Sequence, residues 1–141
     1  MRAVYIAIGN GLRRDDGAAH RVIELLGEAG GAAIRQVHQL CPEHAGWLAG
    51  MDAAVFLDAS AGPGEARLDE IGPEDAAPSP LAHDLPPAAV AAIARKLFGF
   101  RGRAWLCRVP GADFGLGEGL SPQAEANAWK AAALLAAQPF A

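Results

Sequence analysis

The sequence predicts an α/β fold built on a mostly parallel sheet. Three features carry that expectation. Residues 4–8 (VYIAI) and 53–57 (AAVFL) are unbroken apolar runs, helical periodicity lies between them, and strand-like and helix-like segments alternate along the chain. A strand buried on both faces reads as a continuous apolar run, whereas a sheet with one wet face alternates. In open α/β sheets, ligands bind outside the carboxyl ends of the strands, near the point where strand order reverses.

The elements follow in order. The run 4–8 is closed by Gly9-Asn10-Gly11. Val22, Ile23, Leu25 and Leu26 then recur at helical spacing, and Gly27, Gly30 and Gly31 end that helix. Residues 32–40, with Ile34 and Val37, form a second strand that takes in His38. Pro42 opens a short helix reaching Gly50. The third strand, 53–57, ends at Asp58. A glycine-rich loop at 61–64 leads to a weak fourth strand at 66–71. A parallel crossover needs about a dozen residues or more, so this fourth strand is expected to run antiparallel to the third, at an edge. Segment 72–85 carries Pro73, Pro78 and Pro80. It is long for a structureless connection, and such loops are often functional. Pro86-Pro87 begin a helix running to Phe98. Residues 104–109 form a fifth strand broken by Pro110-Gly111. After the loop Gly115-Leu116-Gly117-Glu118-Gly119, Ser121-Pro122 supplies an N-cap and first-turn proline for an Ala-rich helix running to about Ala137. There is no internal repeat or linker, so residues 1–141 are expected to form a single domain.

Composition narrows the function classes. With 141 residues, 52% hydrophobic and 20% charged, the chain can build a core. A net charge of −4 opposes a nucleic-acid partner, which calls for a basic face. No apolar run reaches the roughly 18 residues of a membrane span, and the first run is too short for a signal peptide. Cys41 and Cys107 make neither a disulfide framework nor a zinc pattern, and both read as small apolar residues. The expected compartment is the reducing cytoplasm. Trp47, Trp105 and Trp129 read as packing residues, each needing a partner for its N–H.

Gly9-Asn10-Gly11-Leu12-Arg13-Arg14 opens like a dinucleotide fingerprint, but Arg14 stands where the third glycine belongs and no acid follows the second strand. Asp15 and Asp16 at the helix entry would also repel a pyrophosphate. The simple role for these two acids is helix capping, and one suffices for that. Asp58 at the end of a buried strand has an ordinary reading as a turn residue. If the first and third strands are neighbours, about 5 Å apart, Asp16 and Asp58 can share one cleft. Paired carboxylates at that range share a proton or hold a cation. His20 faces along the first helix, and His44 sits in the short helix near the surface. His83 lies in the proline-rich loop, and two carboxylates with one imidazole suit a borderline divalent metal such as nickel or zinc.

Taken together in chain order, these segments resemble the [NiFe]-hydrogenase maturation endopeptidases. Gly9-Asn10-Gly11-Leu12-Arg13-Arg14-Asp15-Asp16-Gly17 resembles their opening motif, and Val55-Phe56-Leu57-Asp58-Ala59 their second acidic strand end. His83-Asp84-Leu85-Pro86-Pro87 is similar to their histidine segment. Val109-Pro110-Gly111 with Gly117-Glu118-Gly119-Leu120-Ser121-Pro122 resembles the close of the cytoplasmic bacterial members. The resemblance implies a three-layer α/β/α sandwich of the phosphorylase/hydrolase-like kind. Its five-stranded sheet has the first and third strands adjacent and one strand antiparallel. It implies an endopeptidase that removes the C-terminal extension of a hydrogenase large-subunit precursor after nickel insertion. Asp16, Asp58 and His83 would be the catalytic and metal-contacting residues, with nickel supplied by the substrate and no permanent cofactor. Two positions depart from the family pattern: Asp16, where Glu is common, and Ala19, where many members carry glycine. Hydrolysis would proceed through a metal-activated water or a carboxylate base. Two other readings compete: a non-catalytic metal-dependent assembly factor or metallochaperone using the same cleft, and a peptidyl-tRNA hydrolase-like esterase. The acidic net charge opposes the second, and so does Arg21, which stands after His20 where an Asn partner would be needed.

Overall fold

The computed structural model describes residues 1–27, 31–72, 85–138 and 140. Five strands form one sheet in the order β2-β1-β3-β5-β4. They are β1 (Ala3–Ile8), β2 (Ala33–Val37), β3 (Ala53–Ala61), β4 (Arg67–Glu70) and β5 (Arg103–Gly111). All pairings are parallel except β4 with β5. Three helices, α1 (Ala18–Leu26), α2 (Pro87–Leu97) and α3 (Pro122–Ala136), cover the sheet, with 3-10 turns at Arg14–Gly17 and Pro42–Leu48. The α/β class, the adjacent first and third strands and the antiparallel edge strand all match expectation.

The apolar runs work as their pattern implies. Alternate residues of β1 and β3 feed two cores. Tyr5, Ala7, Val55 and Leu57 pack with Val22 and Ile23 of α1 and with Ala128, Ala131 and Leu135 of α3. Val4, Ile6, Ile8 and Phe56 pack with Leu48 and with Val90, Ala91 and Ala94 of α2. Each large side chain buried this way contributes about 2 kcal/mol. The edges are treated differently. β4 is charged at Arg67, Asp69 and Glu70, and four of the five β2 residues are exposed. Charged residues blunt a sheet edge against unwanted pairing.

The fourth strand runs antiparallel to the third at an edge, as expected, with β5 between them. Three expectations need correction. β3 does not stop at Asp58 but continues to Ala61, since β5 stays paired with it as far as Gly111. For the same reason Pro110 does not break β5. β4 pairing ends at Arg108, so the position of Pro110, which has no N–H, faces no partner on that side. β2 is shorter than 32–40, and His38 lies just beyond its end. The segment 73–84, with His83, lies outside the described residues.

Candidate functional site

At the carboxyl edge of the sheet, β1 ends at Ile8 and the chain turns through Gly9 into the 3-10 turn. The turn is tight enough that only glycine fits at its start. Gly9 has φ +149°, and a Cβ there would sit 1.9 Å from the Asp16 carbonyl oxygen. Asp16 Oδ2 accepts a hydrogen bond from Asn10 N–H at 2.7 Å. His20 in α1 closes the turn from behind. Its Nε2 donates to the Gly9 carbonyl at 2.7 Å, and its Nδ1 lies 2.9 Å from the Gln36 side chain on β2.

Neither aspartate caps a helix. Neither the 3-10 turn nor α1 has a side-chain cap. Asp15 is instead wholly buried and joins distant parts of the chain. Its Oδ2 accepts from Ala112 N–H, Asp113 N–H and the Ser121 hydroxyl, and its Oδ1 from Ser121 N–H, at 2.6–2.9 Å. Its own N–H donates to the Asp113 carbonyl at 2.9 Å. Burial pushes the Asp15 carboxyl up. The Ser121 hydroxyl and the three backbone N–H groups outweigh it and hold the group below its ordinary range. Arg14, in the place of the fingerprint's third glycine, takes φ +46°. Its N–H donates to the Gly117 carbonyl, and its guanidinium lies 3.5 Å from Asp113. The turn carrying Asp16 and the loop after β5 are therefore one bonded unit.

Asp58 is the register partner of Ile8 across β1 and β3. It reaches the same cleft as Asp16, an opening of about 470 Å³. Ile8, Gly9 and Ala59 also line that cleft. His38, Gln39 and Leu40 line it after β2, and Leu85, Pro86 and Pro87 line it at the start of α2. The structure thus brings Asp16 and Asp58 together. Among the described residues, no three His, Cys, Asp or Glu side chains are grouped to hold a metal ion. His38 and Gln39 were not singled out from the sequence as cleft residues. The usable signal was their position, since residues following a parallel strand face the ligand edge of such a sheet.

The other singled-out side chains lie elsewhere. His44 stacks on Trp47, with ring centroids 4.3 Å apart, and its Nδ1 accepts from Cys41 N–H. Cys107 is buried in the core, where burial and then the nearby Asp69 charge push its thiol up to about 12. Trp129 is not a packing residue. It is exposed on α3 and donates to Glu125.

No family model matches the chain, and no curated protein matches it significantly. Solved structures do. The hydrogenase maturating endopeptidase HybD from E. coli superposes with a TM-score of 0.79 at 23% identity, over 96% of this chain and 90% of that one. The [NiFe] hydrogenase maturation protease HycI from Thermococcus kodakarensis gives 0.74 at 24% identity, over 96% and 90%. The chain has the fold of the hydrogenase maturation proteases. A second T. kodakarensis structure, the maturation protease HybD, gives 0.68 at 22% identity and is covered over 97% of its length. No helix among the described residues is long and apolar enough to cross a membrane.

Proposed function

We propose that this chain is an endopeptidase of hydrogenase maturation. It removes the C-terminal extension of a [NiFe]-hydrogenase large-subunit precursor once nickel is in place. The observation that carries this reading is the pairing of Asp16 and Asp58 along one cleft, at the carboxyl edge of a sheet shared with named maturation endopeptidases. His83 is the third member of the set. It stands two residues before Leu85, which lines the cleft.

The nickel belongs to the substrate. Two carboxylates and one imidazole can engage an open position on the precursor's nickel while its own ligands stay in place. That contact reports that the metal centre is complete and holds the scissile bond beside the cleft, which is an orientation effect. Water then adds to the peptide carbonyl with its proton passing to a base, and the C–N bond breaks as the amine takes a proton. Asp16 is suited to the base role, because Asn10 N–H holds one of its oxygens and fixes its direction.

The test uses purified protein and nickel-loaded precursor, read by the mass of the large subunit. The wild type shortens the precursor, and Asp16→Asn, Asp58→Asn and His83→Ala each stop it while remaining folded. Normal processing by both Asp58→Asn and His83→Ala would sink the assignment. An unchanged precursor mass with the wild type would favour a binding role in assembly.

A further inference from the structure

The register carries the row containing Asp58 further across the sheet. Asp58 pairs with Arg108 between β3 and β5, and Arg108 pairs with Arg67 between β5 and β4. Register partners share a face, so one carboxylate and two guanidinium groups stand side by side at about strand spacing. Arg67 and Arg108 line a second opening of about 450 Å³, walled by Pro86 and Pro87, which also wall the Asp16–Asp58 cleft. Ile71 and Ala88 are in turn shared with a third opening of about 300 Å³ that carries Arg95 and Lys96. The three openings therefore adjoin through shared lining residues, and the second and third carry four basic residues beside the acids Asp69 and Glu70, in a chain whose net charge is −4.

Most charges around Arg108 are already matched. Arg67 pairs with Asp69 at 2.9 Å, and Glu70 pairs with Arg103 at 2.6 Å. Arg108 is exposed to the second opening and makes no ion pair among the described residues. Like charges directly opposite on neighbouring strands are destabilising. The Arg67–Arg108 pair is thus a local cost to the sheet, offset in part by Asp58 on the other side of Arg108, and it places two guanidinium groups beside the cleft.

We infer that Arg108, supported by Arg67, is a specificity subsite that takes a carboxylate-bearing residue of the substrate polypeptide. That residue lies one to three positions from the bond held between Asp16 and Asp58, given about 3.3–3.6 Å per extended residue. An arginine fork matches a carboxylate in a bidentate manner, which fixes register as well as affinity. The subsite rests on the reading that the cleft accepts an extended polypeptide.

Two rhodamine-labelled ten-residue peptides test it, identical except for a central Asp-Glu pair in one and Asn-Gln in the other. Anisotropy with the full chain should show the acidic peptide bound about fivefold more tightly, a preference that shrinks with added salt. Arg108→Ala should abolish the preference, Arg108→Lys should keep part of it, and Arg101→Ala, two residues before the start of β5, should keep all of it. Equal affinities, no binding of either peptide, or an undiminished preference in Arg108→Ala would each overturn the subsite. Precursor processing measured in parallel separates the two readings. Processing without charge preference removes the subsite and leaves the protease. Charge preference without processing does the reverse.

Discussion

Asp15 and Asp16 are neighbours in sequence and opposites in environment. Asp15 is sealed, with four hydrogen bonds converging on its carboxylate from residues about a hundred positions away. Asp16 lies a few ångströms further along the same turn, with one hydrogen bond to a near neighbour and an open cleft in front of it. The difference separates two tasks. The sealed acid holds the turn and the loop 112–121 in one arrangement, and the open acid is presented by that arrangement. A buried carboxylate with every partner in place is rigid, whereas a partly solvated one can exchange water for a ligand.

The comparison breaks most severely at Asp15. Asp15→Ala strands the N–H groups of Ala112, Asp113 and Ser121, at a cost of about 4 kcal/mol. Urea denaturation should show the midpoint falling accordingly, and a loss under 1 kcal/mol would mean the bonds are replaced by water. Asp16→Asn should do the reverse, changing stability by less than about 1 kcal/mol while slowing precursor processing at least a hundredfold, or about 2.7 kcal/mol in barrier. Equal losses of stability in the two variants would erase the distinction.

A gentler probe is pH. The Asp15 carboxyl is held below its ordinary value in the folded chain, so the unfolded chain binds its proton first as pH falls. The stability it supplies is fully present above about pH 4, the unfolded value, and is lost as pH drops through the lower folded value. Wild-type urea midpoints should fall below pH 4 more steeply than those of Asp15→Asn, and parallel curves would refute this account. The smallest effect is expected at Trp129, which is exposed and donates to Glu125. Trp129→Ala should change stability by less than about 0.5 kcal/mol, measured by the same denaturation.

Much of this architecture was legible because burial writes itself into the sequence. The unbroken runs of β1 and β3 announced two-sided burial, and the brief connection before β4 announced a reversed edge strand. The Ala-rich helices announced nothing of their neighbours, yet small residues at Ala91, Ala94, Ala128 and Ala131 let the backbones approach the sheet closely. The cleft was legible in part. Asp16 and Asp58 were marked by their place after apolar runs, whereas His38 was read as part of its strand because strand ends are set by pairing partners rather than by local pattern. The fate of Asp15 was not legible at all. Its partners lie at positions 112, 113 and 121, and no local periodicity connects them to residue 15.

β3 and β5 stay paired for three residues beyond the last rung that β1 shares with them. At about 3.3 Å per residue, this two-stranded arm extends roughly 10 Å past the end of β1. Among the described residues, the edge of the sheet that carries Asp58 is therefore stepped, taller at β3 and β5 than at β1.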